Sequence, residues 1–149
     1  MVMEWKELDA EYIDDYLDLL SCLDVRNRLS ADQAWQLLHQ VTQYPYYKIL
    51  CLFDHAELTA TYSLIILDNF GHGGKKIALI ENVVVAEATR GQGIGRKMME
   101  DAMKRAAANH CYKLMLSSDL KRTGAHAFYE TLGFDQHGLS FRVEVPAHD

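Results

Sequence analysis

The stretch Ile80–Gly95, reading IENVVVAEATRGQGIG, constrains this chain more than any other. A continuous apolar run ends in a glycine-spaced loop that carries an arginine. The loop feeds directly into a helical pattern, with Ile94, Met98, Met99, Ala102, Met103 and Ala106 on one face. A strand, a glycine loop and a helix in that order aim several free backbone N–H groups at one point. Such a point binds phosphate. Arg90, Arg96 and Lys97 add positive charge around it.

The usual nucleotide fingerprints fail here. A P-loop needs GxxxxGK[ST], but Arg96 stands five residues after Gly91 and no Lys-Ser/Thr pair follows. A GxGxxG fingerprint starting at Gly91 or Gly93 needs glycine at 96 or 98, where Arg96 and Met98 stand. The pattern that does fit is (Q/R)xxGx(G/A), supplied by Arg90, Gly93 and Gly95. It resembles the acetyl-coenzyme A loop of the GNAT superfamily of N-acetyltransferases. A strand at Tyr112–Ser117 follows, and then AHAFYETLGF at residues 125–134. That FYExxGF element resembles the same superfamily's next motif. The resemblance runs from Ile80 to about Arg142. Each piece also has a plainer reading. A glycine-rich turn can serve tight packing alone. Phe128 and Leu132 suit a core in any fold, and Tyr129 could be an ordinary core or surface tyrosine.

With 149 residues the chain reads as one domain, 1–149, large enough for a real core. No apolar run approaches the length of a membrane span, and the N-terminus lacks a charged-then-apolar signal. The expectation is a cytoplasmic protein with no membrane partner. A net charge of −6 argues against nucleic acid. Arg90, Arg96, Lys97, Lys104 and Arg105 nonetheless cluster at the proposed phosphate loop and its helix, which suits a small anionic cofactor. Cys22, Cys51 and Cys111 are widely spaced and read as reduced packing residues. Neither the cysteines nor the seven histidines show metal-ligand spacing, so no metal is expected.

Periodicity and turn residues place the remaining elements. Val2–Leu8 reads as a strand, and Asp9 as the cap of a helix through Leu20 that buries Tyr12, Ile13, Tyr16, Leu17 and Leu20. Ser30-x-x-Gln33 is a capping box opening a helix with Ala34, Leu37, Leu38 and Val41 inward; Pro45 ends that region. Tyr47–Phe53 and Glu57–Leu67 form a hairpin around Asp54-His55-Ala56, and Asp68–Lys76 is a loop. Lys76–Ala86 is the strand entering the phosphate loop. A helix to about Ala108, the strand Tyr112–Ser117 and a helix from Thr123 to Leu132 closed by Gly133 come next. Phe134–Gln136 and Leu139–Val145 suit a final hairpin. The order β-α-α-β-β-β-α-β-α-β-β matches the α/β GNAT fold, a mixed sheet of about seven strands. In that fold the strands flanking the loop's helix run parallel and splay apart to admit coenzyme A.

The resemblance implies acetyl transfer from acetyl-coenzyme A to an amine. The pyrophosphate is expected on the N–H groups of Gly91, Gln92, Gly93, Ile94, Gly95 and Arg96, at the positive end of the helix, reinforced by Arg90 and Arg96. Pantetheine is expected to pair like a strand with the backbone of Val83, Val84 and Val85. His126 and Tyr129 belong to the same expected cofactor site. An aliphatic ammonium has a pKa of about 10.4, so deprotonating it at pH 7 costs roughly 4–5 kcal/mol. Glu81 is the candidate general base, and burial amid Ile80 and Val83 would tune it upward. Its alternative is an exposed or salt-bridged strand carboxylate. Tyr129 is expected near the departing sulfur, and the Val84 N–H at the thioester oxyanion. No covalent intermediate is required.

The acceptor is less defined. The closest patterns are the small-molecule enzymes acting on glucosamine phosphate and on aminoalkylphosphonates. Arg26 and Arg28, between the first two helices, are candidates for holding an acceptor phosphate or carboxylate, with Glu81 at the amine; Lys121 and Arg122 are candidates from the opposite side. The alternative is that the arginines are solvated loop charges. A cationic acceptor, a protein acceptor and a catalytically silent acyl-coenzyme A-binding module all stay open. A nucleotide-binding regulator is disfavoured by the failed fingerprints. The β-prone Phe141-Arg142-Val143-Glu144-Val145 tail is a candidate for pairing across a homodimer.

Overall fold

In a computed structural model of the chain, residues 3–117 and 123–147 are described. β1 (Met3–Glu7) leads through a 3-10 turn at Ala10–Tyr12 into α1 (Ile13–Leu20). Asp9 stands at the cap in extended backbone, without a side-chain bond. α2 (Ala31–Val41) opens on the expected capping box: the Gln33 N–H donates to the Ser30 hydroxyl, and the Ser30 N–H to the Gln33 side chain. β2 (Tyr47–Asp54), β3 (Glu57–Leu67), the single turn α3 (Gly71–Gly74), β4 (Lys76–Val85), α4 (Ile94–Ala108), β5 (Cys111–Leu116) and α5 (Thr123–Thr131) follow. The β2–β3 turn puts both central residues, His55 and Ala56, at positive φ (50° and 66°). That is the twist a two-residue hairpin loop requires, here achieved without glycine.

The five strands lie in sequence order, antiparallel from β1 to β4, with β5 parallel to β4. Ile13, Tyr16 and Leu17 of α1 and Ala34 of α2 bury against Cys51 and Phe53 on one sheet face. On the other face, α4 buries Ile94, Met98, Met99, Ala102 and Ala106, while Leu50, Leu52, Tyr62, Leu64 and Ile80 fill the sheet side. Truncating Met98 or Met99 to alanine would cost about 2–5 kcal/mol. A polar pin holds α4 in register. The Tyr62 hydroxyl donates to Asp101 (2.5 Å), and the Arg105 Nε–H donates to the same carboxylate oxygen (2.8 Å). Burial and the Asp101 carboxylate push the Tyr62 phenol far above its ordinary range, so it stays a donor.

Three expectations need correction. Leu37 and Met103 face solvent, because each lies at the edge of its helix's apolar stripe. The final hairpin is absent: residues 134–147 form no strand, and Leu139, Phe141, Val143 and Val145 are exposed. Their alternation supplies β-propensity, but no ladder partner meets it among the described residues. Among the described residues the sheet accordingly has five strands rather than about seven, within the α/β class expected. The chain divides into two compact units, Met1–Leu116 and Ser117–Asp149. No helix among the described residues is long and apolar enough to cross a membrane.

Candidate active site

β4 carries the site because its two edges are treated differently. Its ladder with β3 continues to Ala60↔Val85, whereas its ladder with β5 ends at Ile80↔Leu116. From Glu81 to Val85 the strand therefore has no partner on the β5 side among the described residues. That is the opening the sequence reading expected beside Val83–Val85.

The β3 ladder itself is irregular at this point. Thr61 pairs with Val84 and Ser63 with Glu81, so Asn82 and Val83 together stand opposite Tyr62. This is a β-bulge, and Asn82 absorbs it at φ 53°. Asparagine tolerates that region better than a branched residue. The extra residue has a direct consequence. Glu81 and Val84, three apart, come to share the sheet face of Ser63 and Thr61; in a regular strand they would oppose each other. Val84 is buried, Val83 and Val85 half-buried, and Glu81 exposed. The expected burial of Glu81 is thus not met, because it stands just past the last β4–β5 pair.

The loop after β4 offers its amides freely. A 3-10 turn at Glu87–Thr89 leads to Gly91 (φ 81°) and to Gly93 (φ 78°), the N-cap of α4. A side chain at either glycine would meet nothing within 4 Å, so the left-handed backbone, not crowding, demands glycine. The first helix-closing bond of α4 is from the Lys97 N–H to the Gly93 carbonyl (3.2 Å). The N–H groups of Gly91, Gln92, Gly93, Ile94, Gly95 and Arg96 find no acceptor among the described residues. They crown a 15-residue helix whose dipole favours an anion there. Arg90, Arg96 and Lys97 are exposed and make no ion pair among the described residues. The Arg90 Nε–H donates to the Val85 carbonyl (3.2 Å), which anchors that guanidinium beside the loop. These features fit a diphosphate such as that of acetyl-coenzyme A.

The acceptor candidates separate. The Arg28 guanidinium is paired with Asp18 at 2.6 Å. Arg26 is exposed, and its side chain has no partner among the described residues. Lys121 and Arg122 lie outside the described residues. In the second unit, His126 and Tyr129 sit half-buried on α5. The Tyr129 ring packs against Phe128 (5.5 Å between centroids) and Phe134 (5.8 Å). The helix ends as expected: the Phe134 N–H reaches the Tyr129 carbonyl (3.1 Å) over Gly133 at φ 93°. Among the described residues, no group of three His, Cys, Asp or Glu could hold a metal ion.

Sequence reasoning missed the surroundings of Glu81. Ser63 is its direct cross-strand partner, and Tyr47 shares the same face of β2. Burial first and the Glu81 charge second push the Tyr47 phenol upward, so the two side chains sense each other. The only sequence signal was Asn82, a turn-favouring residue inside an apolar run.

Comparison with known proteins agrees with this geometry. The model of the acetyltransferase (GNAT) family matches residues 5–134. A glucosamine 6-phosphate N-acetyltransferase of Trypanosoma brucei brucei is 33% identical over 98 residues, covering 66% of this chain and 65% of that protein, just under two thirds of its length. One from Candida albicans is 25% identical over 132 residues, 87% of each chain. Among solved structures, a putative acetyltransferase from Agrobacterium tumefaciens str. C58 superposes with a TM-score of 0.88 at 29% identity, covering 95% of this chain and 99% of the other. The left-handed glycines, the unpaired half of β4 and the match over residues 5–134 lead to one conclusion: this chain belongs to the GNAT family of acetyltransferases.

Proposed function

We propose that this chain, as one acetyltransferase domain spanning both units, transfers the acetyl group of acetyl-coenzyme A to the primary amine of a small molecule. The observation that carries the reading is the row of unpaired amides from Gly91 to Arg96 beside the unpaired half of β4. A diphosphate satisfies the first, and an amide-bearing pantetheine chain satisfies the second. The amine attacks the thioester carbonyl carbon directly. Its proton passes to Glu81, and the oxyanion is assigned to the Val84 N–H on the strength of the family resemblance alone. The C–S bond then breaks, and Tyr129 is assigned to the thiolate on the strength of the FYExxGF motif, with His126 on the cofactor. No metal is invoked.

Arg26 supports an acceptor bearing a phosphate or other anion, since its guanidinium is exposed and uncommitted. Glucosamine 6-phosphate, the amine in the names of the Trypanosoma and Candida relatives, has that chemistry and heads the test panel. The assay measures coenzyme A release over glucosamine 6-phosphate, an aminoalkylphosphonate, a polyamine and a lysine peptide, with mass detection of the product. Release with an acetylated small amine supports the reading. Coenzyme A binding without turnover on any amine would leave a silent binding module instead. Three free cysteines suit a reducing, cytoplasmic setting. The exposed Phe141, Val143 and Val145 suit pairing between two copies, which a monomeric mass by light scattering at all concentrations would refute.

A further inference from the structure

Ser63 carries a buried hydroxyl that no group among the described residues satisfies. It is 1% exposed and its hydroxyl makes no hydrogen bond among the described residues. Its neighbours along β3 behave differently. The Thr59 hydroxyl donates to the Leu52 carbonyl (3.1 Å) and the Thr61 hydroxyl to the Leu50 carbonyl (2.8 Å). The same cross-strand step would carry Ser63 to the Lys48 carbonyl, and that bond is not made. A buried hydroxyl left out of such a series needs a reason.

The ladder supplies one. Ser63 is paired with Glu81 across β3 and β4, and directly opposed side chains have Cβ atoms roughly 4.5–5.5 Å apart. That is within reach of a serine-to-carboxylate bond, direct or through one water. Glu81 also lacks a hydrogen-bond partner among the described residues. Its side chain is exposed and carries several rotatable bonds, so alone it has no fixed aim. Tyr47 lies on the same face, two residue pairs further along, with its phenol pushed upward by burial.

The geometry points to Ser63 as the residue that positions Glu81 for proton transfer. Its hydroxyl donates to one carboxylate oxygen and leaves the other turned toward the amine, whose proton it accepts. Ser63 touches neither acetyl donor nor amine, so it is a positioning residue and not a catalytic one. This rests on the acetyltransferase reading above.

The test uses the full chain with acetyl-coenzyme A and glucosamine 6-phosphate, or whichever panel amine turns over. Ser63→Ala should lower kcat about ten- to hundredfold, the scale of a lost hydrogen bond to a charged group, with KM for both substrates within about twofold. Ser63→Thr keeps the hydroxyl and should recover most of the rate. In a Glu81→Gln background, Ser63→Ala should cost nothing further. An equal loss in both backgrounds, or an unchanged kcat, overturns the proposal. A second readout does not need turnover. The Glu81 carboxyl 13C resonance, assigned from its loss in Glu81→Gln, should move in Ser63→Ala and stay near its original position in Ser63→Thr. An unmoved resonance in Ser63→Ala refutes the pairing, whereas absence of turnover by the wild-type chain on every amine refutes the transferase reading itself.

Discussion

Gly93→Ala separates a glycine kept for the backbone from a glycine kept for a ligand. Gly93 has φ 78° and ψ 11°, and an added methyl would touch nothing within 4 Å. The folded chain is therefore destabilised only by the added left-handed strain, about 1–2 kcal/mol. For a domain of this size that lowers the melting temperature by roughly 2–8 °C. Gly73 is the control: it has φ 67°, equally open surroundings and a place in the same unit, away from the phosphate loop. Gly73→Ala should melt early by a similar amount. The two variants part company in calorimetric titration with coenzyme A. At Gly93 a methyl set among the free amides should crowd a bound phosphate, so at least one charge-assisted N–H to phosphate bond is lost. At about 1.5–3 kcal/mol this weakens binding roughly 10- to 150-fold. Gly73→Ala should leave affinity unchanged. If Gly93→Ala binds coenzyme A as the wild type does while melting like Gly73→Ala, the loop is a turn and no phosphate site.

Tyr62→Phe removes the hydroxyl that Asp101 accepts and should lower the urea midpoint by the equivalent of about 1–3 kcal/mol at an unchanged m-value. Burial raises the Cys51 thiol from 9.0 to about 11, so its contribution is fully present below pH 9 and is lost as pH rises toward 11. Alkaline denaturation should show a loss of up to about 2–3 kcal/mol across that window, shallower in Cys51→Ala; an identical slope in the variant would contradict the assignment. Arg26→Ala should raise KM for a phosphorylated amine, and Arg28→Ala should do so less, because Asp18 already holds that guanidinium at 2.6 Å. Equal effects of the two substitutions would mean that the Arg28 pair opens on binding.

What was legible in the sequence is what local rules write. Gly91 and Gly93 announce left-handed backbone, Ser30 and Gln33 announce a helix start, and the Ile94, Met98, Met99 spacing announces the buried side of α4. Each depends on neighbours within one helical turn. What was hidden depends on pairing between distant strands. Phe141, Val143 and Val145 alternate as a strand should, yet alternation cannot say whether a ladder exists to receive them. Met103 and Leu37 carry the right period for burial, but the width of a helix's buried stripe is set by what packs against it. The bulge at Asn82 is the sharpest case. Read with a period of two, the side chains of Glu81 and Val84 point to opposite faces. Only the register of β3, which places Ser63 opposite Glu81 and Thr61 opposite Val84, shows that one extra residue brings them to the same side. The same register sets the buried hydroxyl of Ser63, on the regular strand facing the bulge, opposite Glu81, and the proposed support of Glu81 rests on that pairing.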